Sequence, residues 1–297
     1  MWNIQLITLY CTVCQYYSSK LEPLVQRLSN NRRPQFTDEE IITVYLWGII
    51  QRRFDVKAIY RYTQMHLLDW FPNLPSYQAF NHRLCELAPA FEALSAVLIE
   101  SRSNTLTKHT LIVDSMPVML AKGTRASHGK VASRVCSKTY CSSKDEWYYG
   151  LKLHVLGDKR VGRLPFPVSV CASTASDHDL PVAVQMVEML NLHDCKLVAD
   201  KAYCDTVWKQ SLLHAHDVTL ITPRKKVRGQ VDVFSGGDTA STSVSRMRQP
   251  IESFFNWLNE KTGIQIACKV RSLKGLLIHV FGRLAAALAY ICFGFNS

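Results

Sequence analysis

Three carboxylates stand out by where the sequence puts them. Asp114 closes the run Thr110-Leu111-Ile112-Val113. Asp200 closes the similar run Lys196-Leu197-Val198-Ala199. Glu252 lies within the segment from Arg246 to Lys261. An Asp at the end of a buried strand is costly unless it is paired or holds a metal ion. Two such Asp residues with one Glu make an all-oxygen donor set, which suits Mg²⁺ or Mn²⁺. Taken alone, Glu252 reads as a surface carboxylate paired with Arg248 four residues before it, a common and weak arrangement on helices. The two upstream Asp residues are what turn the reading towards a metal site. A rival cluster, Asp177-His178-Asp179, reads more simply as a helix cap beside a surface His.

These residues need elements to position them. Ile251, Phe254, Phe255 and Leu258 fall at i, i+3, i+4 and i+7, the apolar stripe of a core-facing helix. Pro250 suits the first turn of that helix, where its missing N–H costs nothing. Glu252 sits at the edge of the stripe, with Arg248 and Asn256 on its flank. Further upstream, Trp147–Leu156 and Phe166–Ala172 read as a hairpin around Gly157-Asp158. Leu180–Leu190 reads as a helix, then come the Asp200 strand, a helix over Thr206–His214 and a strand over Val218–Thr222. Residues 1–105 read as helical, with Thr37 and Glu40 placed as a capping box, and Ser101–Lys108 as a linker. The expected division is therefore 1–105, helical and a candidate DNA-binding region, and 106–297, α/β with a mixed sheet. Two stretches read as loops: the basic Ala121–Ser143, expected to be mobile, and the polar Pro223–Ser245. No hydrolase elbow, P-loop or dinucleotide glycine pattern is present.

The charge is +11 with a pI near 9.2, which favours an anionic partner, nucleic acid first. Ten scattered Cys, with no second pair or His at finger spacing around Cys11 and Cys14, point to reduced thiols in the cytoplasm. The run Leu276–Phe295 is long and apolar enough for a membrane span. It contains His279 and Arg283, however, and a central Arg costs about 2.5–3.5 kcal/mol on insertion scales. A helix in the protein core is the expectation, with no membrane partner.

The order Asp114, Asp200, Glu252 resembles that of the DDE transposases of bacterial insertion sequences. The motifs that carry the resemblance are Ile-Val-Asp-Ser at the first strand, Ala-Asp-Lys-Ala-Tyr at the second, and Arg-x-x-x-Glu on the last helix. It spans roughly residues 106–292, and Trp70–Tyr77 is similar to the N-terminal region of such enzymes. Some relatives carry Tyr-x-x-Arg-x-x-x-Glu-x6-Lys. Here Ser245 and Asn259 replace the Tyr and the Lys, so only Arg248 and Glu252 match. The resemblance implies a ribonuclease-H-like mixed sheet flanked by helices, preceded by the all-helical region. It implies two Mg²⁺ (or Mn²⁺) ions held by Asp114, Asp200 and Glu252. It also implies cleavage of the ends of an element and joining of the 3′-OH to target DNA, by a homodimer on double-stranded DNA. Lys201, Arg224, Lys225, Lys226, Arg228 and Arg248 are the expected DNA contacts. A metal-dependent nuclease that never joins strands, or a DNA-binding remnant without catalysis, are the alternatives.

Overall fold

The computed structural model describes residues 2–27, 34–102, 109–142, 144–223 and 239–295. The chain divides into two compact units. The first gathers Met1–Ser101, Lys130–Ala132 and Leu258–Ser297; the second holds Arg102–Gly129 and Ser133–Trp257.

In the first unit, α1 (Trp2–Tyr16), α2 (Asp38–Ile50), α3 (Val56–His66), α4 (Tyr77–Glu86) and α5 (Ala88–Glu100) follow in order. Thr37 caps α2 as expected: Thr37 N–H donates to Glu40 Oε2 at 2.6 Å, and Glu40 N–H donates back to Thr37 Oγ1 at 3.3 Å. The helix is then apolar all round, and Ile41 through Ile49 are buried without a break, as a helix enclosed by its neighbours must be. Gly48 permits the closest of these approaches, because a methyl group there would meet the Ile59 side chain of α3.

The C-terminal apolar segment belongs to this unit. The stretch Leu273–Phe293 is long and apolar enough to cross a membrane by length and composition, yet most of it is buried inside the protein, as expected for a core helix. Its Arg283 is buried because its guanidinium donates to the carbonyls of Thr262 and Phe54. Burial holds its pKa below the usual arginine value, against the opposing pull of Tyr45 and Asp55. Grouping Leu258–Ser297 with the helices departs from a division at 105/106. The physical reason is that an apolar helix needs apolar cover, which α2 and α5 supply.

The second unit is built on a mixed sheet. Its strands are β1 (Thr110–Lys122), β2 (Ser137–Cys141), β3 (Glu146–Asp158), β4 (Phe166–Thr174), β5 (Cys195–Val198) and β6 (Val218–Ile221). β3 pairs antiparallel with β1, and along its outer edge with β2 and then β4. β5 lies parallel to β1 on its other side, and β6 parallel to β5. The path β4-β3-β1-β5-β6 has three antiparallel strands followed by two parallel ones, compatible with the expected ribonuclease-H-like sheet. α6 (Asp179–Leu190) and α7 (Thr206–His216) provide the crossovers into the parallel strands, as parallel pairing requires. Their apolar residues, among them Met186, Trp208 and Leu212, share one core with Leu111, Val113, Leu197 and Leu220 of the sheet. α8 (Thr239–Thr262) contributes its residues through Trp257 to this unit, and α9 (Leu273–Leu277) and α10 (Arg283–Phe293) close the first.

Three expectations are corrected. Asp114 does not end its strand, since β1 continues eight residues further to Lys122, paired throughout with β3 across one bulge. The segment 121–143 is not a bare loop: after β1 it forms a turn of 3-10 helix, Gly123–His128, and then β2, burying Ala126 and Cys136. Edge pairing with β3 supplies the backbone partners that composition alone does not reveal. Finally, α8 begins at Thr239, so Pro250 lies inside the helix rather than in its first turn. Pro250 has no N–H to offer the Arg246 carbonyl. Buried Val244 and the ion pairs of Arg248 anchor the turns before it, and such tertiary contacts override a weak local preference.

Candidate active site

The sheet register brings the two Asp residues together. Ile112 of β1 is paired with Val198 of β5, the last residue of that strand. Two residues further along each chain stand Asp114 and Asp200, so the same register runs them side by side where β1 and β5 part. In open α/β sheets ligands bind in the crevice at such carboxyl ends. Asp114 stays on a strand held by β3, and its Oδ1 accepts the Ser115 N–H at 2.8 Å. Asp200 caps the short 3-10 turn Lys201–Tyr203 and accepts the Lys201 N–H at 2.5 Å.

Glu252 arrives from α8. Ile251, Phe254, Phe255 and Leu258 are all buried, as the stripe requires. A methyl group on Gly157 of β3, the partner of Ile112, would stand 3.5 Å from Ile251 Cδ1. That is ordinary contact distance, so Ile251 of α8 packs beside the strand that pairs with β1. Glu252 itself remains half exposed, at 52 %.

One guanidinium joins the three acids. Arg248 Nη2 lies 2.9 Å from Asp114 Oδ2 and 3.8 Å from Glu252 Oε1, and Nη1 lies 3.3 Å from Asp200 Oδ1. Its side chain is only 13 % exposed. Arg248, expected on DNA, is here turned to the acids. Burial pushes the Asp114 carboxyl up to about 6, against the opposing pull of Arg248 and the Ser115 N–H. The same enclosure holds the Arg248 pKa above its ordinary value, because the charges of Asp114 and Asp200 outweigh its own desolvation.

Lys201 is exposed beside Asp200. Arg224, Lys225, Lys226 and Arg228 lie outside the described residues. The rival cluster is tied up locally: Asp177 accepts the Thr174 N–H at 2.9 Å, and Asp179 pairs with Lys152 at 2.8 Å. Sequence reasoning gave no role to Tyr203. Its hydroxyl is buried with no hydrogen-bond partner among the described residues. Burial, followed by the charges of Asp179, Asp114 and Asp200, raises its pKa well above the usual phenol value. The signal in the sequence was its place three residues after Asp200.

The family described as "Transposase DDE domain" matches residues 106–289, more than half of the chain. The chain belongs to the DDE transposase family. No curated protein matches the sequence. Transposase domains of this family use divalent metal ions. The acids of this transposase fit that use in donor type, and all three face one cationic group. As they stand, however, no group of three acidic, His or Cys side chains among the described residues is close enough to hold an ion; the guanidinium is the cation they share.

Proposed function

We propose that this transposase cleaves the ends of an insertion sequence and joins the freed 3′-OH to target DNA, with Asp114, Asp200 and Glu252 as its catalytic carboxylates. The observation that carries the reading is the convergence of all three on Arg248. Two Mg²⁺ (or Mn²⁺) ions held by these carboxylates would supply an activated nucleophile, a stabilised leaving oxygen and neutralised phosphate charge.

In the first reaction, the oxygen of water attacks a backbone phosphorus and the P–O3′ bond breaks, leaving a 3′-OH on the element. In the second, that 3′-OH attacks a target phosphodiester, and a target 3′-OH departs. The protein's contribution is placement. Asp114 is fixed by the paired strand, Asp200 by its bond from the Lys201 N–H, and Glu252 by a helix anchored through four buried apolar side chains. Sites on such elements hold their geometry better than sites on loops. Lys201 is suited to a backbone phosphate next to Asp200. Arg224, Lys225, Lys226 and Arg228 are the proposed phosphate contacts of the segment before α8, and the helical region, 1–105, a proposed second contact. The enzyme acts as a homodimer on double-stranded DNA in the cytoplasm.

The test uses duplexes copied from the DNA on either side of the coding sequence, a supercoiled target, and Mg²⁺ or Mn²⁺. The expected products are ends cut to a 3′-OH and molecules in which those ends are joined to target. Cutting without joining would make the protein a nuclease. Binding without cutting would make it a non-catalytic remnant.

A further inference from the structure

Arg248 stands where the catalytic chemistry needs divalent ions. Its forked end reaches Asp114, Asp200 and Glu252 at 2.9, 3.3 and 3.8 Å. Mg²⁺ binds its oxygen ligands at about 2.0–2.1 Å, so carboxylates spread around a guanidinium must draw in to take an ion. The guanidinium cannot remain at their centre when they do, because steric overlap and charge repulsion both oppose it. A second feature separates this contact from a settled structural ion pair. Arg248 Nε is buried and finds no acceptor among the described residues, although buried donors are almost always satisfied. The side chain therefore gives up one hydrogen bond to serve three acids.

We propose that Arg248 is a built-in counter-ion of the three carboxylates, which excludes divalent ions from the free protein and is drawn off by DNA phosphate, so that DNA binding and metal loading are coupled through this side chain. The inference rests on the catalytic reading of the three acids. In the free protein the guanidinium relieves the mutual repulsion of the carboxylates and blocks the ions. A phosphate of the DNA backbone offers an anion of matching bidentate geometry. Once Arg248 moves to it, the acids are left with an unbalanced negative charge and take up metal. Linkage makes the effect reciprocal: DNA tightens the metal by the factor by which the metal tightens DNA. A nuclease centre arranged in this way stays unarmed until its substrate arrives.

The experiment is a Mn²⁺ titration of the full chain, followed by the electron paramagnetic resonance of free Mn²⁺, with and without a short duplex. The titration of DNA alone is subtracted. The wild type is expected to bind Mn²⁺ at least ten-fold more tightly with DNA. Arg248→Gln is expected to bind at least ten-fold more tightly than wild type without DNA, and to gain less than two-fold from it. Arg248→Lys keeps the charge but loses the fork, and should fall between the two; with the wild-type arms it carries the test if the Gln variant does not fold. Equal or weaker Mn²⁺ binding by Arg248→Gln, or equal tightening by DNA in wild type and variant, overturns the exchange. Mn²⁺ binding that is insensitive to Asp114→Asn and Asp200→Asn overturns the catalytic reading itself. Binding that needs both Asp residues but ignores Arg248 overturns only the exchange.

Discussion

Replacing Asp114 with Asn should remove activity and yet stabilise the metal-free fold. Burial raises the Asp114 carboxyl from 3.8 to about 6. Its native pKa thus lies above its unfolded one, and the native state holds a proton that the unfolded chain has already lost. Below pH 3.8 the group costs nothing. Between 3.8 and 6 the cost grows, and above 6 it is fully present. A shift of about two units corresponds to about 3 kcal/mol. Asn keeps the shape of the protonated acid, including an acceptor for the Ser115 N–H. The variant should therefore gain up to about 3 kcal/mol at pH 7.5, shrinking to under about 1 kcal/mol at pH 4. Urea denaturation in the presence of a chelator, at both pH values, measures this. A variant no more stable than wild type at pH 7.5, or equally favoured at both pH values, would refute the argument that burial at the crevice sets the Asp114 carboxyl.

Two further predictions concern the helical unit. Asp38 is 5 % exposed and joins Arg27, Arg83 and the Tyr17 hydroxyl. Asp38→Asn strands two guanidiniums and should cost about 3–5 kcal/mol; a melting temperature within a degree or two of wild type would contradict this. His279 donates from Nε2 to the Ile264 carbonyl at 2.8 Å, and burial, then the charge of Arg283, lowers its pKa to about 3. Its native pKa lies below the unfolded value of 6.5, so its contribution is full above pH 6.5 and is lost as pH falls towards 3. The loss runs at about 1.4 kcal/mol per pH unit, to about 5 kcal/mol in all. His279→Gln should flatten the dependence of stability on pH between 6.5 and 4; an unchanged slope would exclude His279 as its source.

Much of this architecture is written locally and could be read locally. The capping box at Thr37, the β3–β4 hairpin, α6, α7 and the buried stripe from Ile251 to Leu258 each follow from residues a few positions apart. So does the pairing of Arg248 with Glu252 across one helical turn. What escaped the sequence is non-local. The side-by-side placement of Asp114 and Asp200 depends on a parallel register between strands more than eighty residues apart. That register also turns Arg248 from a surface pair into the shared partner of three acids. The same holds for β2, which becomes a strand only because β3 offers an open edge. It holds too for the turns of α8 before Pro250, where buried Val244 and the ion pairs of Arg248 hold a polar stretch helical. Tyr203 stood within a quoted motif, but an unpartnered hydroxyl becomes visible only once its surroundings are known.

The central claim is that Asp114, Asp200 and Glu252 form one catalytic centre. It is tested most directly by cleavage of end-bearing duplex DNA in Mg²⁺ by Asp114→Asn, Asp200→Asn and Glu252→Gln, with DNA binding measured on the same preparations. Each substitution is predicted to reduce cleavage at least a thousand-fold, about 4 kcal/mol of lost transition-state stabilisation, with DNA affinity within about three-fold of wild type, under 1 kcal/mol. Near-wild-type cleavage by any one of the three would remove that residue from the centre and contradict the account.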